Sequence, residues 1–401
     1  MKKKKILSTG FAALAVALAC GSAANAQSYK KLHDSALVVD THNDVLINVM
    51  EGLDITKDLS GKTHSDLARF RQGGVDVQIF SVWSDETYGK GRGFAYANRQ
   101  IDSLYAIAAR NPDKLMIAKT PEDIQKAVKE KKLAAMIGVE GGHMMEDNLE
   151  YLDSLYQRGT SYMTLTWNNS TSWASSAKDE AEGTVPNTKK GLNDFGRQVV
   201  RRMNELGMMV DLSHVGEQTF WDAMQVTTKP VFVSHSCVHE FNSHHPTLTD
   251  DQITAVGKNG GVIHLNFFSG FLDEGFEKRQ AQFLARHKAE VDSLREKNWS
   301  TGRIKDWLTS KYPEEAKNVR PPLSILLDHL DHIVKLVGVD HVGLGSDFDG
   351  ITSTPRQLDS VADMPVITRE LLNRGYSKQD IEKILGQNFM RMFKANQTSK
   401  I

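Results

Sequence analysis

Cysteine is scarce in this chain, with two in 401 residues. One of them, Cys20, lies in an N-terminal stretch that reads as a leader, so Cys237 is the only thiol expected in the mature protein. That excludes an intrachain disulfide framework. An excess of either charge is missing too: the formal net charge is −1. No basic stripe accompanies it, which disfavours a nucleic-acid binder. The apolar run from Phe11 to Ala19 is too short to cross a bilayer, and no later run is long enough to do so. Internal repeats and low-complexity linkers are absent. No glycine-rich dinucleotide fingerprint follows the first strand-like segment.

What the N-terminus does carry is the pattern of a secretory signal peptide. Lys2 to Lys5 are basic, the apolar run follows, and Ala24-Asn25-Ala26 forms a small-x-small cleavage site before Gln27. Loss of residues 1–26 removes four lysines and no acid, so the net charge moves from −1 to −5. The expected destination is across the inner membrane, in the periplasm. On a competing reading "ALAC" resembles a lipobox, with its leucine one place nearer the cysteine than usual, and Cys20 carries a lipid anchor. A hydrophobic content of 40% suffices for one large core, and residues 27–401 read as one domain. The composition allows a homodimer without requiring one.

Eight short β-rich runs recur along the chain, at 36–44, 75–83, 133–141, 160–167, 208–214, 230–236, 261–268 and 341–348. Amphipathic helical stretches lie between them. Buried strands alternating with helices read as βαβ units and a parallel sheet. Eight such units predict a closed (β/α)8 barrel of the TIM type rather than an open doubly wound sheet. Residues 271–320 break the rhythm. They are highly charged and helical in pattern, and they predict an inserted helical hairpin after the seventh strand. It either covers the mouth of the barrel or is a solvated surface excursion.

Barrel enzymes place their chemistry at the C-terminal ends of strands. Here those ends carry His42 and Asp44, Glu140, His214, His235 and Asp347. A single histidine there is usually a hydrogen-bonded structural residue, and a single Asp is usually a helix N-cap. Together they supply three imidazoles and three carboxylates on one rim, and such donors suit zinc or a similar divalent ion. In "VVDTHNDVL", Asp40, His42 and Asp44 alternate, as residues on one strand face do. Asp40, one step deeper, is expected to support a ligand rather than be one. His143 and His264 are further candidates for orienting ligand imidazoles. His329 and His332 read as flank residues of a helix. His33, His64, His239, His287 and His341 belong to no constellation, and Asp349 reads as a loop or capping residue.

The motifs "DTHND", "VEGGH", "DLSHV", "SHS" and "HVGLGSDFDG", in this order and at these spacings, resemble the membrane dipeptidase (renal dipeptidase) family of zinc metallopeptidases. The likeness runs from about Ala36 to about Ala395 and includes the closing stretch "ILGQNFMRMFKA". It implies a (β/α)8 barrel holding two zinc ions and a small peptide substrate. His42 and Asp44 would bind one ion, His214 and His235 the other, and Glu140 would bridge them. Asp347 would be the acid/base that also meets the substrate amine. The resemblance further implies a hydroxide shared by the two ions that attacks the carbonyl of a dipeptide. Zinc lowers the pKa of bound water to about 7.

Three substrate-side positions depart from that family. Trp167 stands where a histidine that steadies the reacting oxygen is common. Pro246 stands eleven positions beyond His235, where an arginine for the dipeptide carboxylate is common, and Phe268 replaces a tyrosine. Proline offers nothing to a carboxylate, whereas an arginine fork binds it strongly. Trp167, Asn168 and His245 are the candidate substrate contacts, with His244, Asn169 and Arg303 as further substitutes. The departures motivate an alternative, a binuclear hydrolase of another small amide such as an N-acyl amino acid, a lactam or a cyclic dipeptide. A binding protein on an inactive barrel is the non-enzymatic alternative, and the complete ligand set argues against it.

Overall fold

The computed structural model of the chain describes residues 29–88, 91–243, 247–299 and 301–397. The leader with Cys20, and His244, His245 and Pro246, lie outside the described residues. Eight parallel strands follow one another: β1 Val39–Asn43, β2 Val77–Trp83, β3 Leu133–Glu140, β4 Thr160–Thr164, β5 Met209–Asp211, β6 Phe232–Ser236, β7 Val262–Leu265 and β8 Val342–Leu344. Each pairs with the next. The ends of β8 and β1 meet through a bridge between Asn43 and Phe348. Two backbone bonds reinforce it, Asp347 N–H to the His42 carbonyl at 3.1 Å and Asp44 N–H to the Phe348 carbonyl at 2.9 Å. The result is the (β/α)8 barrel that the sequence predicts. A further short strand, Leu115–Ile117, pairs with Leu133–Ala135, the part of β3 that precedes its pairing with β4. Three residues are too few to show a period, so the sequence does not announce it.

Each strand lies inside an expected segment, and all but β2 and β6 stop short of the expected C-terminal limit. His214 and Asp347 have φ of 60° and 59°. That left-handed conformation cannot continue a strand and turns the side chain over the barrel mouth. Asp44 is likewise outside β1, as the N-cap residue of helix Val45–Met50. Of the three alternating residues, only Asp40 and His42 share a strand.

The barrel interior is packed. Val39, Val77, Ile79, Met136, Tyr162, Met209, Phe232 and Val262 form one apolar cluster, which Phe389 and Phe393 of the C-terminal helix Asn388–Asn396 join from the N-terminal end of the strands. A second, larger cluster lies between strands and surrounding helices.

The segment after β7 is not a hairpin. It forms a short turn of helix, Ser269–Leu272, then four helices, Phe276–Arg286, Lys288–Glu296, Thr301–Lys311 and Pro313–Val319. Breaks occur at His287, which ends one helix and precedes the next, and at Pro313, which starts the last at its first position. These helices bury their own apolar cluster, with Phe276, Phe283, Leu294, Ile304 and Leu308 at its centre. Among the described residues, no helix is long and apolar enough to cross a membrane.

Candidate metal centre

The six ionisable groups predicted from strand ends converge. His42 Nε2 lies 3.3 Å from Asp44 Oδ2, 3.3 Å from Glu140 Oε2 and 4.0 Å from Asp347 Oδ1. On the other side, Glu140 Oε1 lies 3.1 Å from His214 Nε2 and 3.5 Å from His235 Nε2. The two imidazole nitrogens are 2.8 Å apart. Glu140 therefore turns one oxygen to each group of donors. Gly350 makes room at the edge, since a Cβ there would come 2.2 Å from Asp44 Oδ2 and 2.6 Å from Asp347 Oδ1.

These donors fit divalent cations. His42 Nε2 and Asp44 Oδ1 are buried with no hydrogen-bond partner, an arrangement that is costly unless a cation compensates it. Separations of 3.1 to 3.5 Å between donor atoms match the spacing of about 3.3 Å expected between ligands that each bind one tetrahedral zinc at 2.0–2.1 Å. Two overlapping donor sets lie within metal-binding reach, His42–Glu140–His235 and His42–Asp44–Asp347.

Electrostatics agree with this use. Burial would raise Glu140, but the adjacent His42 and hydrogen bonds from His214 and His235 outweigh it and hold the carboxyl well below its usual range. Burial pushes His235 down to about 4, helped by the charge of His42, so its ring is neutral at neutral pH as a ligand must be. Burial, which the charges of Asp44 and Glu140 reinforce, holds Asp347 well above the ordinary carboxylate range. That carboxyl can carry a proton, and it accepts one hydrogen bond, from Asn266 Nδ2 at 2.8 Å.

The partners that orient the imidazoles are not the predicted ones. His42 Nδ1 meets the Tyr162 hydroxyl at 2.7 Å, and Gly138 opposite has no Cβ because one would lie 2.1 Å from the Tyr162 ring. His235 Nδ1 meets Ser234 Oγ at 2.8 Å, and that hydroxyl donates to Asp211 Oδ2 at 2.6 Å. Asp211 also accepts from Thr164 Oγ1 at 2.6 Å and from Ser234 N–H at 2.9 Å. Asp40 instead braces β8, accepting from Ser346 N–H at 2.8 Å and Ser346 Oγ at 2.6 Å. It thereby fixes the residue before Asp347. His143 bonds to the Ser84 carbonyl, and His264 bonds to the Val233 carbonyl and packs on Phe232; neither touches a ligand ring.

Other readings change too. His329 is no flank residue: it is fully buried, its Nδ1 accepts from Val238 N–H at 3.0 Å and its Nε2 donates to the Leu272 carbonyl at 3.0 Å. His332 pairs with Asp250 at 2.7 Å. His64 and Asp349 hold each other, Asp349 N–H donating to His64 Nδ1 at 3.0 Å and His64 N–H to Asp349 Oδ1 at 2.6 Å. Asp349 is thus a buried clasp between two loops.

Above the centre opens a cavity of about 650 Å³. Trp167 and Asn168 line it, and so do Phe268 and Phe271 at the base of the insertion. The Trp167 ring packs edge-on against Trp83, 4.8 Å between centroids. Among the described residues, none of the four longer insertion helices contributes to the lining, and the base of the insertion reaches the mouth. Arg303 stacks on Trp299 instead, and Asn169 does not line the cavity. His245, the third predicted contact, lies outside the described residues.

The sequence profile described as membrane dipeptidase, peptidase family M19, matches residues 26–400. An uncharacterized dipeptidase of Schizosaccharomyces pombe is 30% identical over 389 residues, covering 92% of this chain and 82% of that protein. Two solved structures share the fold. The probable dipeptidase PvdM of Pseudomonas aeruginosa is 22% identical with a TM-score of 0.73, over 92% of this chain and 98% of that one. A Rhodobacter sphaeroides metallo peptidase, solved with a phosphinate mimic of the dipeptide L-Ala-D-Ala, is 21% identical with a TM-score of 0.73, over 90% of this chain and 99% of that one. Six candidate donors drawn from five strand ends and a profile match over nearly the whole length agree: this chain belongs to the membrane dipeptidase family, peptidase family M19.

Proposed function

We propose that this protein hydrolyses the peptide bond of small dipeptides at a centre of two divalent cations, zinc by the nature of the donors. One observation carries the reading: Glu140 faces His42 with one oxygen and the His214–His235 pair with the other. In this reading His42, Asp44 and Glu140 hold one cation, and Glu140, His214 and His235 the other. Bound there, such cations polarise a carbonyl and lower the pKa of water.

The chain's own groups do the rest. Asp347 carries a proton at its carboxyl and delivers it to the leaving nitrogen, as general acid catalysis requires. Asn266 holds that carboxyl at Oδ2, and the Asp40–Ser346 brace holds its backbone. Tyr162 and the Ser234–Asp211 relay keep two imidazoles aimed at the centre. The apolar side of the cavity, with Trp83, Trp167 and Phe268, excludes water around the substrate side chains.

The second reading, hydrolysis of another small amide, is favoured by Trp167 on the cavity wall, where an aromatic face suits an acyl group. A panel of dipeptides and N-acyl amino acids, assayed with zinc-loaded protein, separates the two. Turnover of dipeptides is expected; turnover confined to the acyl compounds refutes the dipeptidase reading. Residues 1–26 are proposed to direct export, and the N-terminal sequence of the secreted protein tests it: Gln27 first supports cleavage by signal peptidase, and an acylated Cys20 refutes it.

A further inference from the structure

The charged lining of the cavity is uneven. Asp44, Asp347 and Asp349 line it where β1 and β8 meet, Glu140 lines it at the end of β3, and Glu182 lines it beside Lys178. Among the described residues, one lysine and no arginine line the cavity, and that lysine is Lys178. It sits in the short helix Ala177–Ala181, in the segment that follows β4. In a closed barrel of eight strands in sequential order, β4 stands opposite β8, so Lys178 rises from the wall facing Asp347. Lys178 is thus the one lysine or arginine placed, among the described residues, to meet an anionic group of a bound substrate.

The position of Lys178 relative to the centre is fixed through the backbone. Ala177 N–H donates to the His214 carbonyl at 2.8 Å, and Ser176 pairs with Val215. Ser176 Oγ donates to the Asn168 carbonyl at 2.8 Å and caps the helix by accepting from Asp179 N–H. The side chain itself is free to exchange partners. Its Nζ meets Glu182 Oε2 at 3.0 Å, with both side chains about half exposed, 50% and 51%. Exposed pairs four residues apart on a helix are weak and open easily. A carboxylate entering the cavity can take the place of Glu182.

We propose that Lys178 binds the C-terminal carboxylate of the substrate, setting a zwitterionic dipeptide across the mouth with its ammonium end toward Asp347. This inference rests on the dipeptidase reading above. Lys178 acts on binding rather than on the chemical step, so its removal should appear in KM and leave kcat nearly unchanged.

The test compares Ala-Phe with its C-terminal amide on the zinc-loaded enzyme and on Lys178→Gln, Lys178→Arg and Glu182→Gln. For Lys178→Gln, KM for the free acid is expected to rise about tenfold or more, as loss of a charge-assisted contact predicts, while KM for the amide stays put. Lys178→Arg should restore most of the loss. Glu182→Gln should lower KM for the free acid by removing the competing carboxylate. An equal change for acid and amide, or no change in either, overturns the assignment. If the wild-type enzyme cleaves only N-acyl amino acids, the dipeptidase reading fails instead. The same acid-against-amide comparison on those substrates then decides the role of Lys178.

Discussion

At the floor of the cavity, His42 and His235 are 0% and 2% exposed, and each has its second ring nitrogen held by a hydroxyl, that of Tyr162 or Ser234. On the wall, Trp167, Asn168 and Lys178 are partly exposed and come from the segment after β4 rather than from a strand. The floor is built by strands that pair with both neighbours, so its donors are placed by the barrel itself. The wall is built from segments that leave the barrel, and it can change without moving the centre. This difference means that the wall, with Trp167 and Phe268, can vary while the six donor groups of the floor keep their places. Chemistry is tied to the sheet, and recognition is tied to what the sheet releases.

Breaking the floor should cost most. Glu140→Gln removes the charge that both donor groups share, so bound metal and activity should fall together to background, read by metal analysis and by turnover. Retention of a full metal complement by that variant would contradict the bridging role. Asp347→Asn should keep its metal and its fold but lose about 10²–10⁴ in kcat, the usual worth of a general acid. Near-normal turnover would remove Asp347 from the proton-transfer role.

A gentler change sharpens the comparison. Tyr162→Phe keeps the ring against Gly138 and deletes only the hydroxyl at His42 Nδ1. Metal affinity should weaken about 10- to 100-fold, as it does when a ligand's outer partner is lost. Competition with a chelator measures it. A Trp167→Phe variant in parallel should leave metal affinity unchanged, because that residue belongs to the wall. If both variants lose metal equally, floor and wall are not separate in energy.

The smallest effect concerns the footing of the wall. His329 ties the loop after β6 to the base of the insertion, through Val238 N–H and the Leu272 carbonyl. Burial lowers its pKa to about 4 from the ordinary 6.5. A base whose folded pKa is depressed contributes stability that is whole above 6.5 and is lost as pH falls from there toward 4. At pH 5 the loss is about 2 kcal/mol. In the metal-loaded protein, hydrogen exchange at Val238 should accelerate between pH 7.5 and pH 5, beyond the intrinsic change. The floor amide of His235, donated to Ser213 Oγ, should stay protected. His329→Gln should flatten the dependence at Val238. Equal loosening at both amides would show that acid does not act on the wall first.

Part of the centre was legible because its signals are local. An apolar run ending in His, Glu or Asp is a feature of a few consecutive residues, and the eight runs needed no contact information to be found. Tyr162, Asp211 and Asn266 were not legible for the converse reason. Tyr162 reads as one more aromatic in a buried strand, and its partner His42 is 120 positions away. Asp211 looks like an isolated acid inside "MVDLS" until Ser234 and Thr164 are brought beside it from β6 and β4. The insertion reads as a hairpin in the sequence because its break at His287 carries no glycine or proline.

By itself, the sequence determined which side chains stand at the ends of the eight strands, since strand period and apolar run length are written in neighbouring residues. How they combine follows from the tertiary structure: Glu140 divides its two oxygens between donor groups, Tyr162 and not Asp40 steadies the His42 ring, and Lys178 lines the same mouth as Asp347. Those relations depend on closing the sheet, which brings β1 against β8 and sets β4 opposite β8. Closure is a property of all eight strands together and of no single stretch of chain.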